Sequence, residues 1–205
     1  MRELPDPYLL AFLLADGISL LLAYSRLTAA VRGGCACLRG FNGTLEFLGN
    51  NYICTSVRLV ILLLLPFYVL SLTVTDLSTA GYVWTMAAMV LLWLFRKLVC
   101  RLAGWLFSRQ AAFRSIERTG DALGVLVMLA SVPALLSGWL LPETPRWLLW
   151  SMLAMPAAVG LFFYFRRGLS LLLQTGFSPF FWVLYLCALE ILPICVVVNR
   201  LINGN

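Results

Sequence analysis

The stretch "RLVILLLLPFYVLSLTVTDLSTAGYVWTMAAMVLLWLFRK", Arg58 to Lys97, decides how the rest of the chain is read. It holds two apolar runs, 59–75 and 77–95, separated by one acid, Asp76, and bounded at both ends by cations. A hydrocarbon core about 30 Å thick needs roughly 20 apolar residues in helical form. The stretch therefore reads as two membrane spans joined by a tight turn.

Working outward, comparable apolar segments recur at 8–25, 122–141, 147–165 and 180–198. The expected fold class is all-α: a polytopic membrane helix bundle of about six transmembrane helices, with residues 1–205 forming a single integral membrane domain. Composition agrees, since 62% of residues are hydrophobic, only 12% are charged, and mean hydropathy is +0.94. A soluble domain of this size needs more polar surface. Pro66, Pro133, Pro156 and Pro193 fall within spans and predict kinks, because proline supplies no N–H to the preceding turn. The first segment follows "MRELPDPY", which lacks a basic leader, and Asp16 interrupts its apolar run, so it is expected to be a retained span.

Charge sets the expected orientation. Arg26, Arg32, Arg39 and Arg58 flank the first connection; Arg96, Lys97, Arg101, Arg109, Arg114 and Arg118 crowd the third; Arg166 and Arg167 lie in the fifth. These are 12 of the 15 basic residues, and the positive-inside rule puts them in the cytoplasm with both termini outside. The basic balance suits anionic membrane lipid as a partner and implies no nucleic acid. Residues 96–118, "RKLVCRLAGWLFSRQAAFRSIER", form the densest part of this cytoplasmic basic face. They are expected either to lie along the membrane surface as a helix or to snorkel from a span end. The short connections "TDLSTAG" and "LPETPRW" make spans two and three, and spans four and five, antiparallel neighbours. Residues 26–57, of mixed polarity, read as a cytoplasmic connection. Gly120 and Gly124 form one GxxxG, a helix-packing pattern.

The chain has no histidine, which removes the usual general base and metal ligand. Cys35, Cys37, Cys54, Cys100, Cys187 and Cys195 include one CxC but no second pair, so no metal or other cofactor is implied. An enzyme is not expected. The chemistry that stands out is acidic. Asp16 lies midway in the first span and Glu190 midway in the sixth, within "LYLCALEILPICVVV", Leu184 to Val198. A charged side chain at a helix centre costs about 2.5–3.5 kcal/mol on insertion, so both acids should face the bundle interior. Three roles are open for Glu190: a hydrogen-bonded lock between helices, an anchor for a partner subunit, or ion handling together with Asp16.

The ending "FSPFFWVLYLCALEILPICVVV", taken with "KLVCRLAGWLF" and the short stretch before the fourth span, resembles an uncharacterised family of inner-membrane proteins of Bacteroidota, a domain of unknown function. The most specific part is an LYLCxLEILP motif, carried here by Tyr185, Cys187, Glu190 and Pro193. Asp16 is not part of that pattern. The resemblance implies the bacterial cytoplasmic (inner) membrane, and hence periplasmic termini, but no activity, substrate or cofactor. The expected function is a non-catalytic accessory or assembly subunit of an envelope complex, with a membrane-protein partner. The alternative is a small proton-coupled transporter or channel using the buried carboxylates.

Overall fold

The computed structural model describes residues 7–72, 79–140 and 145–174. Among them are eight helices and no strand: α1 (Pro7–Leu22), α2 (Tyr24–Arg39), α3 (Phe41–Gly49), α4 (Asn51–Leu72), α5 (Thr79–Leu106), α6 (Gln110–Ala130), α7 (Val132–Leu140) and α8 (Arg146–Gln174). Three of these are long and apolar enough to cross a membrane, over Asn51–Leu70, Gly81–Leu106 and Trp147–Leu171. A fourth is reached if Leu14–Leu22 and Tyr24–Arg39, bent by 77° at Ala23, count as one broken span. The expected span at 180–198 lies outside the described residues.

Burial ranks the helices. In the span of α4, 56% of residues are buried, against 11% in α5 and 17% in α8. The α4 helix is therefore central, and α5 and α8 are flanks that turn Trp84, Leu91, Trp147 and Phe162 outward. Exposed apolar side chains of this size are costly in water and ordinary against lipid. The hydroxyls inside these helices are satisfied locally: Thr55, Ser56, Thr85 and Thr119 each donate to the carbonyl four residues back, at 2.8–2.9 Å.

Neighbouring spans run antiparallel, as the short connections predict. The Tyr82 hydroxyl of α5 donates to the Pro66 carbonyl of α4 at 3.4 Å, while Arg58 and Cys100 line one pocket at the other end of the same pair. Likewise Gly120 of α6 faces Tyr164 of α8, and Val127 faces Gly160.

Three expectations need correcting. Residues 26–57, read as a connection, are helical: they form most of α2, all of α3 and the first turns of α4, and Ala30, Cys37, Thr44 and Phe47 are fully enclosed. The reason is residue size: a Cβ on Gly34 would stand 2.9 Å from the Ala122 carbonyl oxygen and 2.6 Å from Leu126 Cγ, so α2 lies closer to α6 than any larger residue allows. Residues 96–118 do not form a single helix either. The α5 helix runs on to Leu106 and stops in a Schellman motif, with Ser108 N–H donating to the Trp105 carbonyl and Arg109 N–H to that of Gly104. Ser108 adopts a φ of 54° in the left-handed region, Phe107 stacks on Phe113, and α6 returns along α5. Third, the segment 122–141 is not one helix. It breaks at Ser131 between α6 and α7, because Pro133 supplies no N–H to the preceding turn and sits instead in the first turn of α7, where none is needed. Pro66 and Pro156 lie inside continuous helices, and Pro193 lies outside the described residues.

Gly34→Ala should lower the melting temperature in detergent, by overpacking worth about 1–3 kcal/mol. Gly124→Ala, where a Cβ meets nothing within 4 Å, should be neutral or stabilising by up to about 1 kcal/mol through helix propensity. Equal tolerance at both positions would contradict the close α2–α6 contact.

Candidate functional site

Where α5 and α6 run back to back, the basic end of α5 meets an acidic stripe on α6. Glu117 and Asp121 are one helical turn apart and so share a face. They are buried, with side-chain exposures of 5% and 2%. Lys97 sits between them, with Nζ 3.9 Å from Glu117 Oε1 and 3.8 Å from Asp121 Oδ2. Arg96 Nη1 is 3.9 Å from Asp121 Oδ1, and Arg96 Nη2 donates to the Glu117 backbone carbonyl at 3.3 Å. Each cation also rests on an aromatic face: Lys97 Nζ is 3.6 Å from the Trp93 ring centroid, and the Arg96 guanidinium carbon is 5.3 Å from that of Tyr164 on α8.

The geometry tells which force holds the cluster. Charge-assisted hydrogen bonds close to about 2.7–2.9 Å, and the three ion pairs are about 1 Å longer than that. Coulomb attraction in a poorly screened interior holds the cluster. Like charges one turn apart on α6 would repel, and the two cations of α5 remove that repulsion. Gly120 leaves the room this needs: a side chain there would run into the Arg96 guanidinium and the Tyr164 ring. The GxxxG glycine thus admits an arginine rather than a neighbouring backbone.

Two more arginines tie helices end to side. Arg167, 7% exposed, donates through Nε to the Cys37 carbonyl at 2.9 Å and through Nη2 to the Leu38 carbonyl at 3.3 Å. Arg118 donates to the Leu48 carbonyl at 3.4 Å. These carbonyls belong to the last turns of α2 and α3, which lack helical donors and carry partial negative charge.

An apolar cleft of about 300 Å³ opens from this cluster between α4, α5, α6 and α8. Its floor is the α6 stripe Gly120, Leu123, Gly124 and Val127, and Arg96 closes one end. Among the described residues, no three of His, Cys, Asp and Glu gather closely enough to hold a metal ion.

Of the six basic residues read as one face, the fold divides the set. Arg96, Lys97 and Arg118 turn inward, while Arg101, Arg109 and Arg114 are exposed. Asp16 is half-buried on α1, beside Gly17, whose Cα faces the Phe67 ring of α4. Its Oδ2 is sealed from solvent without a hydrogen-bond partner among the described residues. Glu190, Tyr185, Cys187 and Pro193 lie outside the described residues, as do Cys187's neighbour in the thiol set, Cys195, and any contact between Asp16 and Glu190. Among the described residues Cys35, Cys37, Cys54 and Cys100 form no disulfide with one another, and the last three are buried. Sequence reasoning missed Glu117 and Asp121. The available signal was their one-turn spacing, set against the adjacent cations Arg96 and Lys97 across a single turn of chain.

Asp121→Leu removes the acid that Arg96 and Lys97 share and should destabilise by on the order of 3 kcal/mol, with little dependence on salt because Asp121 is buried. Adding Lys97→Met should restore part of the loss in a thermal-melt double-mutant cycle. Strictly additive losses would show that the two side chains are not coupled.

A family model described as "Domain of unknown function (DUF4271)" matches residues 39–201. No curated protein and no solved structure matches the chain. The matched range holds Arg96, Lys97, Glu117, Asp121 and Arg167 as well as Glu190, and leaves Asp16 outside. With about four fifths of its length matched, the chain belongs to the DUF4271 family.

Proposed function

We propose that this chain is a non-catalytic accessory or assembly subunit of a bacterial envelope complex, seated in the inner membrane as a bundle of about six spans with both termini in the periplasm. The bacterial setting rests on the resemblance to Bacteroidota inner-membrane proteins, and the orientation on the distribution of basic residues. One observation carries the reading: buried and half-buried charges bind helix to helix. Lys97 and Arg96 join α5 to α6, Arg118 joins α6 to α3, and Arg167 joins α8 to α2. Charges committed in this way support a rigid scaffold rather than a reaction centre. The long flanks α5 and α8, apolar on their outer faces, suit lipid or the spans of a membrane-protein partner.

The second reading, proton-coupled transport, is favoured by a different observation. Asp16 has a sealed carboxylate oxygen without a hydrogen-bond partner among the described residues, in an otherwise apolar helix, and an ionisable group in such a place is a functional candidate by default. Its position outside the family match weighs against a role shared by the family.

A tagged protein drawn from its native membrane in mild detergent is expected to bring down a stoichiometric membrane partner, with Glu190→Leu weakening the association. Recovery of the protein alone in both cases would overturn the accessory reading. Proton flux in liposomes, abolished by Asp16→Asn with the fold intact, would establish the second.

A further inference from the structure

The cleft between α4, α5, α6 and α8 has the form of a binding site, and we infer that it takes one acyl chain of an anionic lipid, with the head group at Arg96. Its walls are apolar along most of their length, through Leu65, Leu123, Val127 and Leu161. From Gly120 to Met128 the α6 floor rises about 12 Å, a run along which an alkyl chain can lie. A volume of about 300 Å³ is at the lower end of the range for ligand sites, which suits one chain rather than two.

Shape alone would fit any apolar occupant, and charge narrows the choice. Arg96 and Lys97 stand at one end against Glu117 and Asp121, and Arg58 lines a neighbouring pocket with Glu117. Arg96 is the member of the group that lines the cleft; its guanidinium lies against Gly120 and Tyr164, which line it too, and its side chain keeps 23% exposure. The planar, five-donor guanidinium is the side chain best matched to carboxylate or phosphate oxygens. The cleft reaches the surface of the bundle where two of its lining residues, Leu62 of α4 and Leu161 of α8, are exposed. An acyl chain can enter there from the lipid phase while its head remains at the basic end.

The floor also offers a clean way to close the site. Gly124 lines the cleft, and a Cβ built there meets nothing within 4 Å. Gly124→Leu therefore starts its side chain in free space and projects it into the cleft.

Native mass spectrometry of the purified full chain in neutral detergent tests the inference, with lysophosphatidylglycerol as anionic probe and lysophosphatidylcholine as its zwitterionic counterpart. The wild type should retain one lysophosphatidylglycerol at least tenfold more strongly than lysophosphatidylcholine. Gly124→Leu should lose that retention, Arg96→Gln should reduce the preference to near parity, and Arg101→Gln, at an exposed position, should change neither. If Arg96→Gln fails to fold by circular dichroism, Gly124→Leu carries the test. Equal retention of both probes by the wild type, retention of neither, or undiminished binding to Gly124→Leu would overturn it; the last would place the lipid on the outer surface. None of these outcomes depends on whether a partner protein co-purifies.

Discussion

Lys97, held between Glu117 and Asp121, is the contact on which the basic end of the bundle depends. Taking two carboxylates and two cations out of water is expensive, and the arrangement holds because each charge has an opposite within 4 Å and the cations also lie on aromatic rings. The consequence for the fold is directional. A helix whose inner turns carry Arg96 and Lys97 needs a partner bearing acids, and the helix that returns after the Ser108 turn supplies them. Register between α5 and α6 follows from charge as much as from packing.

From that hairpin the remaining helices are positioned in turn. The Arg96 guanidinium reaches across Gly120 to Tyr164 and brings α8 against α6. From the opposite side α2 meets α6 at Gly34, and Arg167 of α8 closes over the last carbonyls of α2. Arginine at a helix C-terminus satisfies acceptors that an apolar surrounding would leave bare, and its charge complements the helix dipole. The same residues that answer the positive-inside pattern in sequence thus serve as internal fastenings. The cleft is a by-product of this order: α5 and α8 both need α6, and the glycines that let Arg96 pass leave space between them.

Much of the architecture was legible from residue types alone. The long apolar runs that became α4, α5 and α8 need no tertiary knowledge, because a helix is the one local structure that satisfies its own backbone in an apolar medium. Antiparallel pairing of α4 with α5 followed from a connection too short for anything else. Residues 26–57 were harder to read. Their glycines, cysteines and scattered arginines carry a weak apolar pattern, and what buries them is close approach to α4 and α6, which depends on backbone proximity rather than on hydrophobicity.

Sequence by itself determined that this chain is helical, apolar and biased in charge towards one end, because composition and run length are local properties. It also singled out Asp16 and Glu190, since an acid in an apolar run is visible without a fold. Only the tertiary structure decided that Glu117 and Asp121, unremarkable in a charged stretch, are the buried partners of Arg96 and Lys97. Whether a charge is solvated or enclosed is set by what folds over it, and here that is a neighbouring helix brought back by one turn.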